Sequence, residues 1–149
     1  MRWESLVSIH NLKLAWRRIN TAKNLQYKRF FRELYLVYEA SLDENIKELH
    51  KKLVTRVWQP NHATRIYLPK LSGLQRPISL LSIEDQILLQ AIANCFALKL
   101  RSKRKIVELK TVFSNKLAEQ KDSIFFTEQW QVTYRGFQTK CVEHFDAGY

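Results

Sequence analysis

Proline and glycine are scarce in this sequence, with three of each among 149 residues. No Gly/Ser linker, low-complexity run or internal repeat occurs, so one domain, or one piece of a larger one, is the economical reading. Cysteine is nearly absent too. Cys95 and Cys141 lie far apart, with no CxxC pair and no clustered histidines, which argues against a zinc site or a disulfide framework and for two buried small side chains in a reduced compartment. Long apolar runs are missing as well. The longest uncharged stretch, Gln86 to Leu98, is too short for a bilayer and carries Gln90 and Asn94. The opening MRWESLVSIHNLK has Glu4 and further polar residues where a signal peptide needs an apolar core. These absences predict a soluble, cytoplasmic protein with no membrane partner. A chain of this size buries roughly 70% of its unfolded surface, enough for a core without disulfides.

Acid is what the chain lacks locally. Net charge is +11, and between Ser5 and Arg32 the basic residues Lys13, Arg17, Arg18, Lys23, Lys28, Arg29 and Arg32 meet no carboxylate. A second block, 99-KLRSKRKIVELK-110, sets six basic residues against Glu108. Trp16, Tyr27, Phe30 and Phe31 are interleaved in the first tract. Cations mixed with aromatic rings suit a phosphate backbone with unstacked bases. Ordinary solvated helix faces are the alternative for both tracts.

Apolar spacing from Trp3 to Ile19 predicts an amphipathic helix, interrupted at Asn20 and Thr21. A second helix is predicted over Leu25 to Glu39 and a third over Leu42 to Trp58, capped by Ser41, with Asp43 and Glu44 in its first turn and Pro60 beyond its end. The period then changes. Thr64 to Leu68 and Ile78 to Leu81 are β-formers flanking a turn, which predicts an antiparallel hairpin with Gly73 at positive φ. Ser82 opens a further helix with the cap S-I-E-D and an inner stripe of Ile83, Ile87, Gln90, Ala91, Asn94, Cys95 and Leu98. A last helix is predicted from Glu128 to Phe145. The fold class expected is therefore α+β, mostly helical with a central hairpin: a basic helical part over 1–60, the hairpin over 61–82 and a helical part over 83–149.

Pro69, Gly73 and Pro77 fall within nine residues, framed by Lys70 and Arg76. Two prolines remove amide donors and fix φ, so this hairpin should be stiff and reluctant to add a further strand at its edges. Lys70 and Arg76, with Arg65 near, make it a candidate clamp for a polyanion, each charge-assisted phosphate contact contributing on the order of 1.5–3 kcal/mol.

The order W-x12-W, a basic helix pair, then I-Y-L-P-K-x-S-G-x-Q-R-P-I-S-L-L-S-I-E-D-Q-I-L-L-Q-A-I resembles the N-terminal fingers of bacterial reverse transcriptases related to group II intron and retron enzymes. The likeness is strongest over Arg65 to Ile92, fair over Leu12 to Trp58 and loose after Val112, and the longer spacer from Lys99 to Trp130 looks more like the defence-associated members. It implies a fingers subdomain of a right-hand polymerase, binding RNA template, DNA primer and deoxynucleoside triphosphate. Under it, Lys70 and Arg76 grip the incoming triphosphate, while Arg17, Arg18, Lys23 and Arg65 follow the template or primer backbone. Asp85 and Gln90 match a helix-start aspartate and a helix glutamine of that family, in roles that are either structural or functional. Gln86 departs from the arginine more usual there.

Two-metal polymerisation needs paired carboxylates to hold magnesium. The D-x4-[FY]-[FDY]-like strand and [YF]-x-D-D hairpin that carry them in reverse transcriptases do not occur, and Asp146 in F-D-A-G-Y lacks a preceding β-run and a following aromatic pair. No catalytic or metal-binding residue is therefore assigned. The expectation is an RNA-directed DNA polymerase by descent, incomplete at its C-terminus and inactive alone, with no cofactor on this chain and Mg2+ used by the full-length enzyme. Faces that a palm would cover point to self-association. The alternative is a small basic helical nucleic-acid-binding protein without polymerase ancestry, its hairpin a wing.

Overall fold

The computed structural model describes residues 2–21, 28–29, 32–108 and 110–148. They form six helices and one hairpin: α1 (Trp3–Val7), α2 (Ile9–Thr21), α3 (Arg32–Ala40), α4 (Leu42–Val54), β1 (Thr64–Pro69), β2 (Gln75–Leu80), α5 (Ile83–Val107) and α6 (Trp130–Asp146). The mixed α+β class read from the sequence is present, mostly helical with two antiparallel strands. The contacts divide the chain into two compact units, residues 1–95 and 96–149.

The first unit is built on α2. Leu12, Ala15 and Trp16 are almost fully buried, and Ile19 lies on the same stripe. Against them pack Tyr35 of α3, Ile46, Leu49 and Leu53 of α4, and Ile87 and Ala91 of α5, with Leu6 and Val7 of α1 closing the cluster. The indole of Trp16 stacks near Tyr35, at 6.2 Å between centroids, and lies 5.1 Å from the Tyr38 ring. Aromatic pairs at such distances add about 0.5–1.5 kcal/mol each to their area burial.

Several boundaries differ from the sequence reading. The single helix expected over Trp3 to Ile19 is two, because Ser8 turns the chain: its extended backbone ends α1, and its hydroxyl accepts the Asn11 N–H at 3.2 Å to cap α2. Ser41 precedes α4 without a side-chain cap bond. That helix stops at Val54 rather than Trp58. Arg56 takes φ +58°, with its N–H donating to Leu53 O and Val57 N–H to Lys52 O, a Schellman stop without the usual glycine. The described part of the expected Leu25 to Glu39 helix is α3, and its predicted start falls outside the described residues.

Ser82 caps α5 as expected, accepting the Asp85 N–H at 3.2 Å. Asp85 does not return the bond to the Ser82 backbone. Its Oδ2 accepts the Ser82 hydroxyl at 2.5 Å and the Asn61 N–H at 3.1 Å, tying the segment before β1 to the start of α5.

The second unit holds the last part of α5, an irregular segment and α6. Ala118 N–H bonds Phe126 O and Glu128 N–H bonds Lys116 O, closing the Phe-rich loop. Phe113 meets Phe137 of α6 edge-on at 5.6 Å. Cys141, expected to be buried, is exposed on α6, while Cys95 is half-buried in the first unit.

Candidate nucleic-acid interface

The hairpin's turn is the three-residue loop Leu71–Ser72–Gly73. Gly73 N–H donates to Lys70 O at 3.0 Å, and Lys70 N–H donates to Leu74 O at 2.8 Å. A type I turn followed by a left-handed residue makes this pattern, and Gly73 is that residue at φ +78°. A Cβ there would meet nothing within 4 Å, so backbone conformation rather than space requires glycine.

Register then sorts the strands. Leu68 faces Arg76, Ile66 faces Ile78 and Thr64 faces Leu80; on the alternate positions Pro69 faces Gln75, Tyr67 faces Pro77 and Arg65 faces Ser79. Residues directly opposite share a face. One face is thus apolar at its base, with Ile66, Leu68 and Ile78 half-buried and Leu80 buried, and carries the exposed Arg76 nearer the tip; the other is exposed along its whole length. Counting from the Lys70–Leu74 hydrogen bond, alternation puts Pro69 and Pro77 at pairs that exchange no ladder bond. Their missing donors therefore lie on the outer edges, where they block strand addition without weakening the hairpin.

Lys70 and Arg76 are both exposed. Arg76 lies inside β2, and the alternation continued to the Lys70–Leu74 pair carries Lys70 to the Arg76 side, about 7 Å farther toward the tip at strand rise. Two flexible cations at that spacing can reach one polyphosphate. Arg65 is exposed on the opposite face and does not join them. No acidic residue occurs from Thr64 to Leu80, so nothing in the hairpin neutralises these charges.

The first basic tract is divided by the fold. Arg17 is exposed on α2. Its neighbour Arg18, expected on a nucleic-acid backbone, is 8% exposed and donates from Nη1 to Asn94 Oδ1 at 2.5 Å. Gln90 Nε2 donates to the same oxygen at 3.0 Å, and Asn94 Nδ2 donates to Asn11 Oδ1 at 2.9 Å. Asn11 Nδ2 in turn reaches Leu6 O and Ala91 O. This buried polar chain joins α1, α2 and α5. A buried amide satisfied on both ends fixes helix register, because any slip orphans a polar group. Gln90 therefore serves the fold, and so does Gln86, which accepts the Tyr35 hydroxyl at 2.7 Å and donates to Leu81 O at 2.8 Å.

Lys13 pairs with Asp43 at 2.6 Å, and its hydrogen bond and charge hold that exposed carboxyl below its ordinary pKa. Lys28 is buried, donates to Ile19 O at 3.3 Å and sits 5.4 Å above the Tyr35 ring; burial pushes its ammonium pKa down. Lys23 lies outside the described residues. In the second tract Arg101 donates to Ala118 O and Glu119 O, and Arg104 to Asn115 O and Glu108, so both hold the irregular segment of the second unit. Lys99, Lys103, Lys105 and Lys110 are exposed.

The buried network had a signal in the sequence. Gln90 and Asn94 on an inner helix stripe demand partners, and Asn11 and Arg18, seven residues apart on a facing helix, supply them.

No protein family, curated protein or solved structure matches the chain. Among the described residues no helix is long and apolar enough to cross a membrane.

Proposed function

We propose that the chain is the N-terminal, fingers-type part of an RNA-directed DNA polymerase of the reverse transcriptase kind, acting in the cytoplasm. Lys70 and Arg76 grip the phosphates of an incoming deoxynucleoside triphosphate, and Arg17, Lys23 and Arg65 lie along the template or primer backbone. The observation that carries the reading is the hairpin: an acid-free, proline-guarded finger with Lys70 and Arg76 on one side, followed at once by the Ser82-capped helix. Arg18 is left out, since its guanidinium is engaged inside the unit.

The proposed role is binding. Magnesium, which the complete enzyme would use, needs paired carboxylates, and Asp85 is engaged in its cap. The reading also carries self-association, for which α6 exposes Trp130, Val132, Val142 and Phe145.

A deoxynucleotide titration of the chain beside Lys70→Ala and Arg76→Ala tests the grip. Each substitution should weaken binding on the order of tenfold, the loss of one charge-assisted contact. RNA should bind with strong salt dependence, and primer extension with magnesium should be undetectable. A hairpin that served as the wing of a basic DNA-binding protein would contact phosphate backbone and ignore free nucleotide, so nucleotide binding indifferent to both substitutions refutes the grip.

A further inference from the structure

We propose that the outer face of the hairpin, opposite Lys70 and Arg76, is a platform on which Tyr67 stacks an unpaired base of single-stranded nucleic acid. The inference rests on the nucleic-acid-binding part of the proposed function and deepens it, giving the face that carries Arg65 a base-stacking ring apart from the Lys70 and Arg76 grip.

Tyr67 stands in the middle of β1 and is 56% exposed. Its hydroxyl has no hydrogen-bond partner among the described residues. Register gives its face the composition Arg65, Tyr67, Pro69, Gln75, Pro77 and Ser79, every one exposed. Tyr67 faces Pro77 at a pair without ladder bonds, where opposed Cβ atoms come closest, so the residue opposite the ring is a rigid pyrrolidine.

Three properties of this face match one class of ligand. A ring held on a stiff strand has little rotamer freedom to lose on binding, and its open π-face suits a flat heterocycle of any sequence. Arg65, two residues away on the same face, can neutralise the phosphate of the stacked nucleotide or stack beside it. The hairpin carries no acid from Thr64 to Leu80, which favours a polyanion over a protein surface of mixed charge. The prolines on the outer edges exclude the other usual occupant of a bare hairpin, an added strand. A duplex hides its bases within the stack, so the platform selects single strands.

The test uses the whole chain and a single-stranded oligonucleotide carrying 2-aminopurine, whose emission is quenched on stacking. Tyr67→Thr removes the ring while keeping a β-former at the position, and Tyr67→Trp restores a ring. The parent chain and Tyr67→Trp should bind with quenching. Tyr67→Thr should bind on the order of tenfold more weakly and lose the quench. A blunt duplex should be indifferent to residue 67. Unchanged affinity and quench in Tyr67→Thr would overturn the platform, as would an equal loss for duplex and single strand. Neither outcome touches the deoxynucleotide titration, which reads Lys70 and Arg76 on the other face.

Discussion

Arg17 and Arg18 are adjacent in a tract without acids, and the fold gives them opposite work. Arg18→Met keeps most of the buried stem and deletes the guanidinium that donates to Asn94 Oδ1 at 2.5 Å. A hydrogen bond to a charged group contributes about 1.5–3 kcal/mol, and Asn94 Oδ1 retains its bond from Gln90, so that oxygen is not orphaned. The expected loss is therefore about 2 kcal/mol of unfolding free energy, inside that range. Arg17→Ala removes an exposed side chain and should change stability by less than about 0.5 kcal/mol.

Nucleic-acid binding should sort the same two variants in reverse. A cation that neutralises one phosphate contributes about 0.7–0.9 to the slope of log affinity against log salt. Arg17→Ala should flatten the slope by about that amount, while Arg18→Met, measured well below its unfolding midpoint, should leave it unchanged. Urea unfolding followed by tryptophan fluorescence gives the first quantity, since Trp16 is almost completely buried. Fluorescence anisotropy of a labelled RNA across a salt series gives the second. An Arg18→Met chain with parental stability and a flattened slope would refute the assignment of Arg18 to the interior.

Tyr38→Phe should stabilise the protein by about 1 kcal/mol, because its hydroxyl is buried with no hydrogen-bond partner among the described residues. The pH dependence follows from the same burial, which, with Glu84 near, pushes the Tyr38 pKa up. A raised folded pKa contributes stability that is present below the unfolded tyrosine value and lost as pH rises beyond it, so the alkaline decline above about pH 10 should be shallower in Tyr38→Phe. Denaturant midpoints at neutral and alkaline pH check both effects, and a less stable Tyr38→Phe would show that the hydroxyl is satisfied after all. Arg56→Gly should also stabilise, by about 1 kcal/mol, since φ +58° strains a side-chain-bearing residue and not glycine. A lower thermal midpoint for that variant would mean that Arg56 makes a contact worth more than its strain.

What the sequence disclosed and what it hid follow one physical line. The hairpin was legible because its signals are backbone signals: Gly73 permits positive φ, Pro69 and Pro77 remove donors, and Ser82 offers a cap, all of which act within four residues. The end of α4 was not, because Arg56 adopts the same left-handed backbone without the residue that announces it. The break at Ser8 was hidden by apolar periodicity that runs across it, where the extended Ser8 backbone and its hydroxyl's bond from Asn11 divide α1 from α2. Among cations the failure was of another kind. Charge in a sequence says nothing about which way a helix faces, and Arg17 and Arg18 lie about 100° apart on α2. The facing helix decides between them, since Asn94 and Gln90, uncharged polar residues set in an apolar stripe, need a donor from across the core. Arg65 and Arg76 divide by the same logic in a strand, where an odd spacing across the register sends one cation to each face. A tally of basic residues therefore overstates the surface open to a polyanion, and the residues that correct it are the neutral amides with which those cations pair.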